Sequence, residues 1–91
     1  MSRHTSRKER WTLLNAKEYR SAFGVVRYRA GAWEGEVSYE RWDEEASPRW
    51  QPSHLAAGRF KRPRNAMIAV EDKAREILRK HQDKVKVAIE A

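Results

Sequence analysis

Two groups of cationic side chains are the residues of this sequence best suited to bind an anion. Arg27 and Arg29 lie two residues apart, so on a β-strand they project from the same face. The second group is denser and comprises Arg59, Lys61, Arg62 and Arg64. Guanidinium groups form bidentate hydrogen bonds with phosphate oxygens and with the major-groove edge of guanine. These residue types and spacings therefore predict a nucleic-acid-binding surface, most readily one for duplex DNA.

Acidic side chains form a second candidate surface, in and after one predicted strand: Glu34, Glu36, Glu40, Asp43, Glu44 and Glu45. Paired carboxylates can serve acid–base catalysis, but no histidine lies beside them in the sequence, so we expect a solvated strand face and no enzyme. The alternative is that they imitate phosphate toward a basic partner. The protein would then be a phage- or plasmid-type accessory protein that inhibits or modulates a nucleic-acid enzyme.

Other site chemistries find little support in the sequence. There is no cysteine, and His4, His54 and His81 are too dispersed for a metal motif, so we expect neither a metal nor a cofactor. Of the four tryptophans, Trp33 is predicted to lie in the core. Trp42 and Trp50 flank the acidic segment, and their placement stays open between the core and a platform on which bases stack.

The charge balance favours a polyanionic partner. The 91 residues carry a formal net charge of +7 and a pI of about 10.1. Residues 1–29 carry +6, residues 30–57 carry −4 and residues 58–91 carry +5, so one surface is expected to repel polyanions. No apolar run approaches the roughly 20 residues of a membrane span, and no apolar segment follows the basic N-terminus. We expect a soluble, cytoplasmic protein that does not bind membranes.

Hydrophobic periodicity predicts an α+β domain with a three-stranded antiparallel sheet packed on one C-terminal helix (β-β-β-α). The predicted strands span 23–29, 33–42 and 54–60; a tight turn containing Gly31 joins the first two, and a long loop over 43–53 precedes the third. Pro63 suits the first helical position, and the helix should continue to about His81. Its apolar stripe comprises Met67, Val70, Ala74, Ile77 and Leu78.

The ends of the chain are less regular. Residues 1–10 are basic and without periodicity, which predicts a flexible arm, and residues 11–82 form the single domain. Residues 11–22 fit a short helix or a strand, with an irregular segment or short helix favoured. Residues 83–91 alternate weakly, and we expect the helix to fray there.

The order of three strands and a helix over residues 23–78 resembles the AP2-type DNA-binding domain. It also resembles the related N-terminal DNA-binding domain of some phage and transposon integrases. Val26–Arg29 is similar to the family's Val-Arg-x-Arg first strand, and Gly31–Val37 to its Gly-x-Trp-x-x-Glu-Ile second strand. Ala57–Phe60 is similar to the Leu-Gly-x-Phe third strand, and the alanines at 66, 69 and 74 resemble those of the helix behind the sheet.

The resemblance implies that the exposed sheet face lies in the major groove. Arg27 and Arg29 would then contact bases or phosphates, Arg59 would lie near the DNA backbone, and Glu36 would share their face. A second resemblance leaves the choice between DNA and RNA open. Residues 61–66, before an alanine-containing helix, are similar to the basic helix start with which double-stranded RNA-binding domains hold phosphates.

Overall fold

The computed structural model describes residues 11–87 as a twisted antiparallel sheet with one helix on one of its faces. The strands are β1 (Thr12–Asn15), β2 (Glu18–Ser21), β3 (Gly24–Arg29), β4 (Ala32–Trp42), β5 (Trp50–Phe60) and β6 (Val85–Lys86). The helix, α1, spans Pro63–Lys80. No helix among residues 11–87 is long and apolar enough to cross a membrane.

The first five strands follow one another across the sheet, each antiparallel to the next. A tight turn joins β3 to β4, and its residues Ala30 and Gly31 have φ angles of 52° and 82°. Two consecutive positive φ angles are typical of hairpin turns that match the twist of the flanking strands. After α1 the chain returns to the sheet, where β6 pairs with β4 at Glu40 and Arg41. Strand β4 therefore pairs with three other strands, β3, β5 and β6.

The side chains of β4 divide the molecule into two layers. Alternate residues of a strand point to opposite faces, and Val37 and Gly35 point toward α1. A Cβ atom at position 35 would lie 2.7 Å from Val70 Cγ2 and 3.1 Å from the Ala66 carbonyl oxygen, so glycine allows the helix to approach closely. The apolar stripe predicted for the helix forms the core with the sheet, because Met67, Val70, Ala74 and Ile77 are buried there.

The N-terminal part of the domain is anchored by a buried hydrogen bond. Trp11 is buried, and its indole Nε1 donates to Glu71 Oε2 at 2.8 Å. Glu71 is a fully buried carboxylate on α1. The bond ties the start of β1 to the helix, 60 residues away in the chain.

The predicted fold class is confirmed, but the number of strands is wrong. The sheet contains six strands instead of three: a hairpin of β1 and β2 occupies the segment for which the sequence favours an irregular or short helical structure, and β6 adds one more strand after the helix. Strand β1 is exposed at every position and therefore carries no burial pattern that sequence could reveal. The strand predicted over 54–60 begins earlier, at Trp50, and includes Pro52. Proline is tolerated there because β5 is an edge strand.

The remaining predictions have mixed outcomes. The hairpin turn at Gly31 and a helix starting at Pro63 are confirmed. In the segment expected to fray, Val85–Lys86 instead pairs with β4, and Val85 is buried. The expected basic arm over residues 1–10 and the last residues, 88–91, lie outside the described residues.

Candidate nucleic-acid interface

The sheet face opposite α1 carries alternating arginines and glutamates. This surface, called the open face below, comprises the outward-pointing residues of β2 to β5, among them Glu18, Arg20, Val25, Arg27, Arg29, Glu34, Glu36, Ser38, Glu40, Trp42, Trp50, His54 and Arg59. Cross-strand partners share a face, which places Arg27 opposite Glu34 on β4 and Glu34 opposite Arg59 on β5. Arg27, Arg29 and Arg59 therefore lie on one face of the sheet.

Two glutamates each lie between two of the arginines. Glu34 lies between two guanidinium groups, with Arg59 Nε at 3.3 Å and Arg29 Nη1 at 3.9 Å from its carboxylate oxygens. Glu18 lies similarly between Arg20 Nε at 3.3 Å and Arg27 Nε at 3.7 Å. Four arginines and four glutamates, including Glu36 and Glu40, balance on β2 to β5, and Lys86 on β6, the cross-strand partner of Glu40, adds one positive charge.

Arg59 differs from the other arginines because its guanidinium group binds the backbone. Its Nη2 donates to the carbonyl oxygens of Arg29 and Ala30, at 2.9 and 3.0 Å. These bonds connect the end of β5 to the β3–β4 turn across the intervening strand. Arg59 therefore fixes the hairpin that carries Arg29, and most of its hydrogen-bonding capacity is used within the protein.

Arg27 and Arg29 remain able to bind an external group. Their ion-pair distances of 3.7 and 3.9 Å are longer than those of hydrogen bonds, and their side chains are 38% and 64% exposed. Between them and Arg59 lies a shallow depression of about 270 Å³, whose small and apolar residues include Val25, Gly35, Ala56 and Gly58. A flat group could enter this depression with guanidinium groups on both sides.

The rest of the predicted basic cluster lies at the same end of the molecule but beyond the sheet. Lys61 and Arg62 follow the last residue of β5, and Arg64 is the second residue of α1. All three are exposed. Arg62 precedes the first helical residue and provides no side-chain cap, and the first turn contains no acidic residue. These exposed cations lie between the end of β5 and the first turn of α1, and not on the open face.

The acidic residues do not form the single patch that the sequence suggested. Glu34 and Glu36 lie among the cations of the open face, and Glu36 Oε1 is 3.8 Å from His54 Nδ1. Glu40 lies further along β4, whereas Asp43, Glu44 and Glu45 belong to the segment between β4 and β5. The glutamates alternate along β4, and the neighbouring strands place arginines and a histidine beside them. The sequence of β4 alone does not show which side chains its neighbours contribute.

Sequence reasoning missed the contribution of β2. The sequence favours an irregular or helical segment over Glu18 and Arg20, but residues two apart with opposite charges also fit an exposed strand beside Arg27. His54, which lies beside Ser38 and Glu36, was also not assigned to this surface. Among residues 11–87, no group of three or more acidic, histidine or cysteine side chains could hold a metal ion.

The chain was compared with protein-family profiles, curated proteins and solved structures, and none of the three comparisons found a match.

Proposed function

We propose that this protein is a small duplex-DNA-binding module that contacts DNA with the open face of its sheet. The proposal depends most on Arg27 and Arg29. They project from one face, are only loosely held by carboxylates, and are carried by a hairpin that Arg59 fixes to the neighbouring strand. Because the backbone of this hairpin is fixed, the two guanidinium groups project from constant positions on one face, and their planar donors can form bidentate contacts with phosphates or guanine edges.

The dimensions of this surface favour DNA over duplex RNA. Arg27 and Arg29 on β3 and Arg59 on β5 flank β4, so two strand spacings, about 10 Å, separate them. The major groove of B-form DNA is about 12 Å wide and admits elements of this size. The major groove of A-form RNA is too deep and narrow for side chains to read. The AP2-type resemblance supports the same mode of binding, although this sheet is larger than the one it implies.

Lys61, Arg62 and Arg64 would contact phosphates beside the groove. The N-terminus of a helix disfavours cations by about 0.3–1 kcal/mol each, and a bound phosphate would offset that unfavourable energy. Glu34 and Glu36 would restrict where phosphates can approach, because they repel them. In this proposal Glu34 and Glu36 belong to the DNA-binding face. The alternative is that the acidic residues bind a basic protein partner, which binding experiments must exclude.

A salt titration of duplex binding tests this proposal. Fluorescence anisotropy of labelled duplex DNA should show saturable binding, and the logarithm of the association constant should fall with the logarithm of salt concentration. Neutralisation of about six phosphates predicts a slope near −5. Duplex RNA of the same sequence should bind more weakly at every salt concentration. Absence of saturable binding at about 50 mM salt, or a slope near zero, would overturn the proposal.

A further inference from the structure

A second group of side chains on the open face lies at the opposite end of β4. Trp42 and Trp50 are cross-strand partners on β4 and β5, and they point to the same side as Glu34 and Arg59. Their rings are 5.2 Å apart between centroids and inclined at 71°. We call these two residues, with the adjacent Arg49 and Lys86, the tryptophan corner.

The tryptophan corner does not belong to the core. Trp11 is buried in the core and Trp33 packs against it, whereas Trp42 and Trp50 do neither among the residues described. Both are partly exposed. A domain of 91 residues has little apolar surface to bury, and an indole is its largest apolar side chain. Two partly exposed indoles in contact therefore suggest a role in binding.

Both rings have a cation on them. Lys86 Nζ lies 4.2 Å from the centroid of Trp50, and Arg49 Cζ lies 5.7 Å from that of Trp42. Within residues 11–87, neither cation has a carboxylate at salt-bridge distance, unlike Arg29 and Arg59 near the other end of the sheet. Glu44 Oε2 accepts from Trp42 Nε1 at 3.4 Å and Glu40 is the cross-strand partner of Lys86, but in the described part of the chain neither carboxylate forms an ion pair with Arg49 or Lys86. An aromatic platform combined with cations that form no ion pair is an arrangement that holds single-stranded nucleic acid: the rings stack with bases and the cations contact phosphates.

We propose that the tryptophan corner binds an unpaired nucleobase of the DNA strand that continues beyond the duplex. This inference rests on the proposed function, because the duplex would lie on the arginine-bearing part of the same face. Trp42 lies eight residue steps beyond Glu34 along β4, a distance of about 27 Å or roughly eight base-pair rises. The corner thus lies within reach of a single-stranded extension on a bound duplex. The base would stack on an indole, while Arg49 and Lys86 would turn from the rings to the flanking phosphates.

The test compares a blunt duplex with the same duplex carrying a thymidine overhang of about six nucleotides at either its 5′ or its 3′ end. The unmodified protein should bind one overhang probe at least about fivefold more tightly than the blunt duplex, the smallest gain expected from one stacked base. Trp50→Ala should abolish this gain and leave the affinity for the blunt duplex unchanged. Trp50→Phe should retain part of the gain because it keeps an aromatic plane.

Two controls separate stacking from folding and from general apolar contact. Tyr28→Ala removes an aromatic side chain that is 40% exposed and points away from the open face, so it should leave the overhang gain intact. Circular dichroism of each variant should match that of the unmodified protein. A gain that persists in Trp50→Ala, or no gain while the blunt duplex binds, would overturn the inference.

The inference can fail independently of the proposed function. If the blunt duplex does not bind, the proposed function is overturned, and a free thymidine oligonucleotide then tests the corner directly. Quenching of tryptophan fluorescence by this oligonucleotide, lost in Trp50→Ala, would support the corner as a base-binding site. Absence of quenching would overturn the proposal that the tryptophan corner binds a base.

Discussion

The two faces of strand β4 make different kinds of contact. Toward α1 the strand presents Gly35 and Val37, which are buried against the helix. Toward solvent it presents Glu34 and Glu36, which lie among arginines and a histidine. On the first face the contacts depend on close packing, whereas on the second they are ion pairs accessible to water.

This difference indicates where stability and binding reside. Buried apolar contacts in a small domain provide most of the free energy of folding, and exposed ion pairs contribute about 0–1 kcal/mol each. The open face can therefore change its side chains with little effect on folding. A surface with that freedom, and with positioned arginines, is the one that can be adapted to a ligand.

The strongest contrast between the faces should appear at Gly35. The substitution Gly35→Ala places a Cβ atom 2.7 Å from Val70 Cγ2, and overpacking of this kind should lower the free energy of unfolding by about 2–3 kcal/mol. Urea denaturation measures the change. Combining it with Val70→Ala should make the two effects less than additive, because the smaller side chain creates space. Full additivity in this double-mutant cycle would show that the helix does not approach the strand at this point.

Substitution of one tryptophan on each face should also affect stability differently. Trp11→Phe removes the donor of the buried bond to Glu71 and should lower the free energy of unfolding by about 1–2 kcal/mol. Trp42→Phe is the matched change on the open face, where the indole Nε1 lies 3.4 Å from the exposed Glu44, and it should change stability by less than about 0.5 kcal/mol. Equal losses of unfolding free energy in the two variants would contradict the difference in stability between the two faces.

The sequence predicted the helix side of the molecule better than the open side. The stripe from Met67 to Ile77 and the start at Pro63 are local signals, since helical periodicity and proline geometry act within a few residues. Strand β1 was not predicted because all of its residues are exposed, and the first part of β5 was not predicted because it contains Pro52. The pairing of both segments also depends on other strands of the sheet. The face shared by Arg27 and Arg29 follows from alternation alone, but their pairing with Glu18 and Glu34 requires the register of the sheet.

Arg59 is the open-face arginine whose role is most structural. Arg59→Lys keeps the charge but loses the bonds to the carbonyl oxygens of Arg29 and Ala30. We expect faster amide hydrogen exchange at the β3–β4 turn and a loss of global stability below about 1 kcal/mol, since the bonds are exposed. Arg29→Lys is the control and should leave exchange at the turn unchanged. If both variants exchange alike, Arg59 does not hold the hairpin.

The smallest effect concerns a carboxylate on the outer surface of the helix. Hydrogen bonds from Lys73 and Lys80, at 3.1 and 3.2 Å, lower the pKa of Glu76. Because this pKa is lower in the folded than in the unfolded protein, the pairs stabilise fully above the ordinary glutamate pKa of about 4.3 and are lost as the pH falls through the lowered value. An NMR titration of the Glu76 carboxyl carbon should show the lowered pKa at low salt and a return toward the ordinary value at about 1 M salt. A pKa at or above the ordinary value would show that these exposed pairs do not form.

The most direct test of the account compares two charge reversals of equal size on opposite sides of the molecule. One variant carries Arg27→Glu and Arg29→Glu on the open face, and the other carries Arg75→Glu and Arg79→Glu on exposed positions of α1. Both lower the net charge equally, so the general attraction of a basic protein for DNA falls by a similar amount. At physiological salt the open-face variant should lose at least about a hundredfold in duplex affinity, because two guanidinium contacts disappear. The helix variant should lose only a few-fold, since α1 covers the opposite face of the sheet and charges are screened over about 8 Å at physiological salt. Equal losses in the two variants, or a larger loss from the helix pair, would contradict the claim that the open face binds DNA.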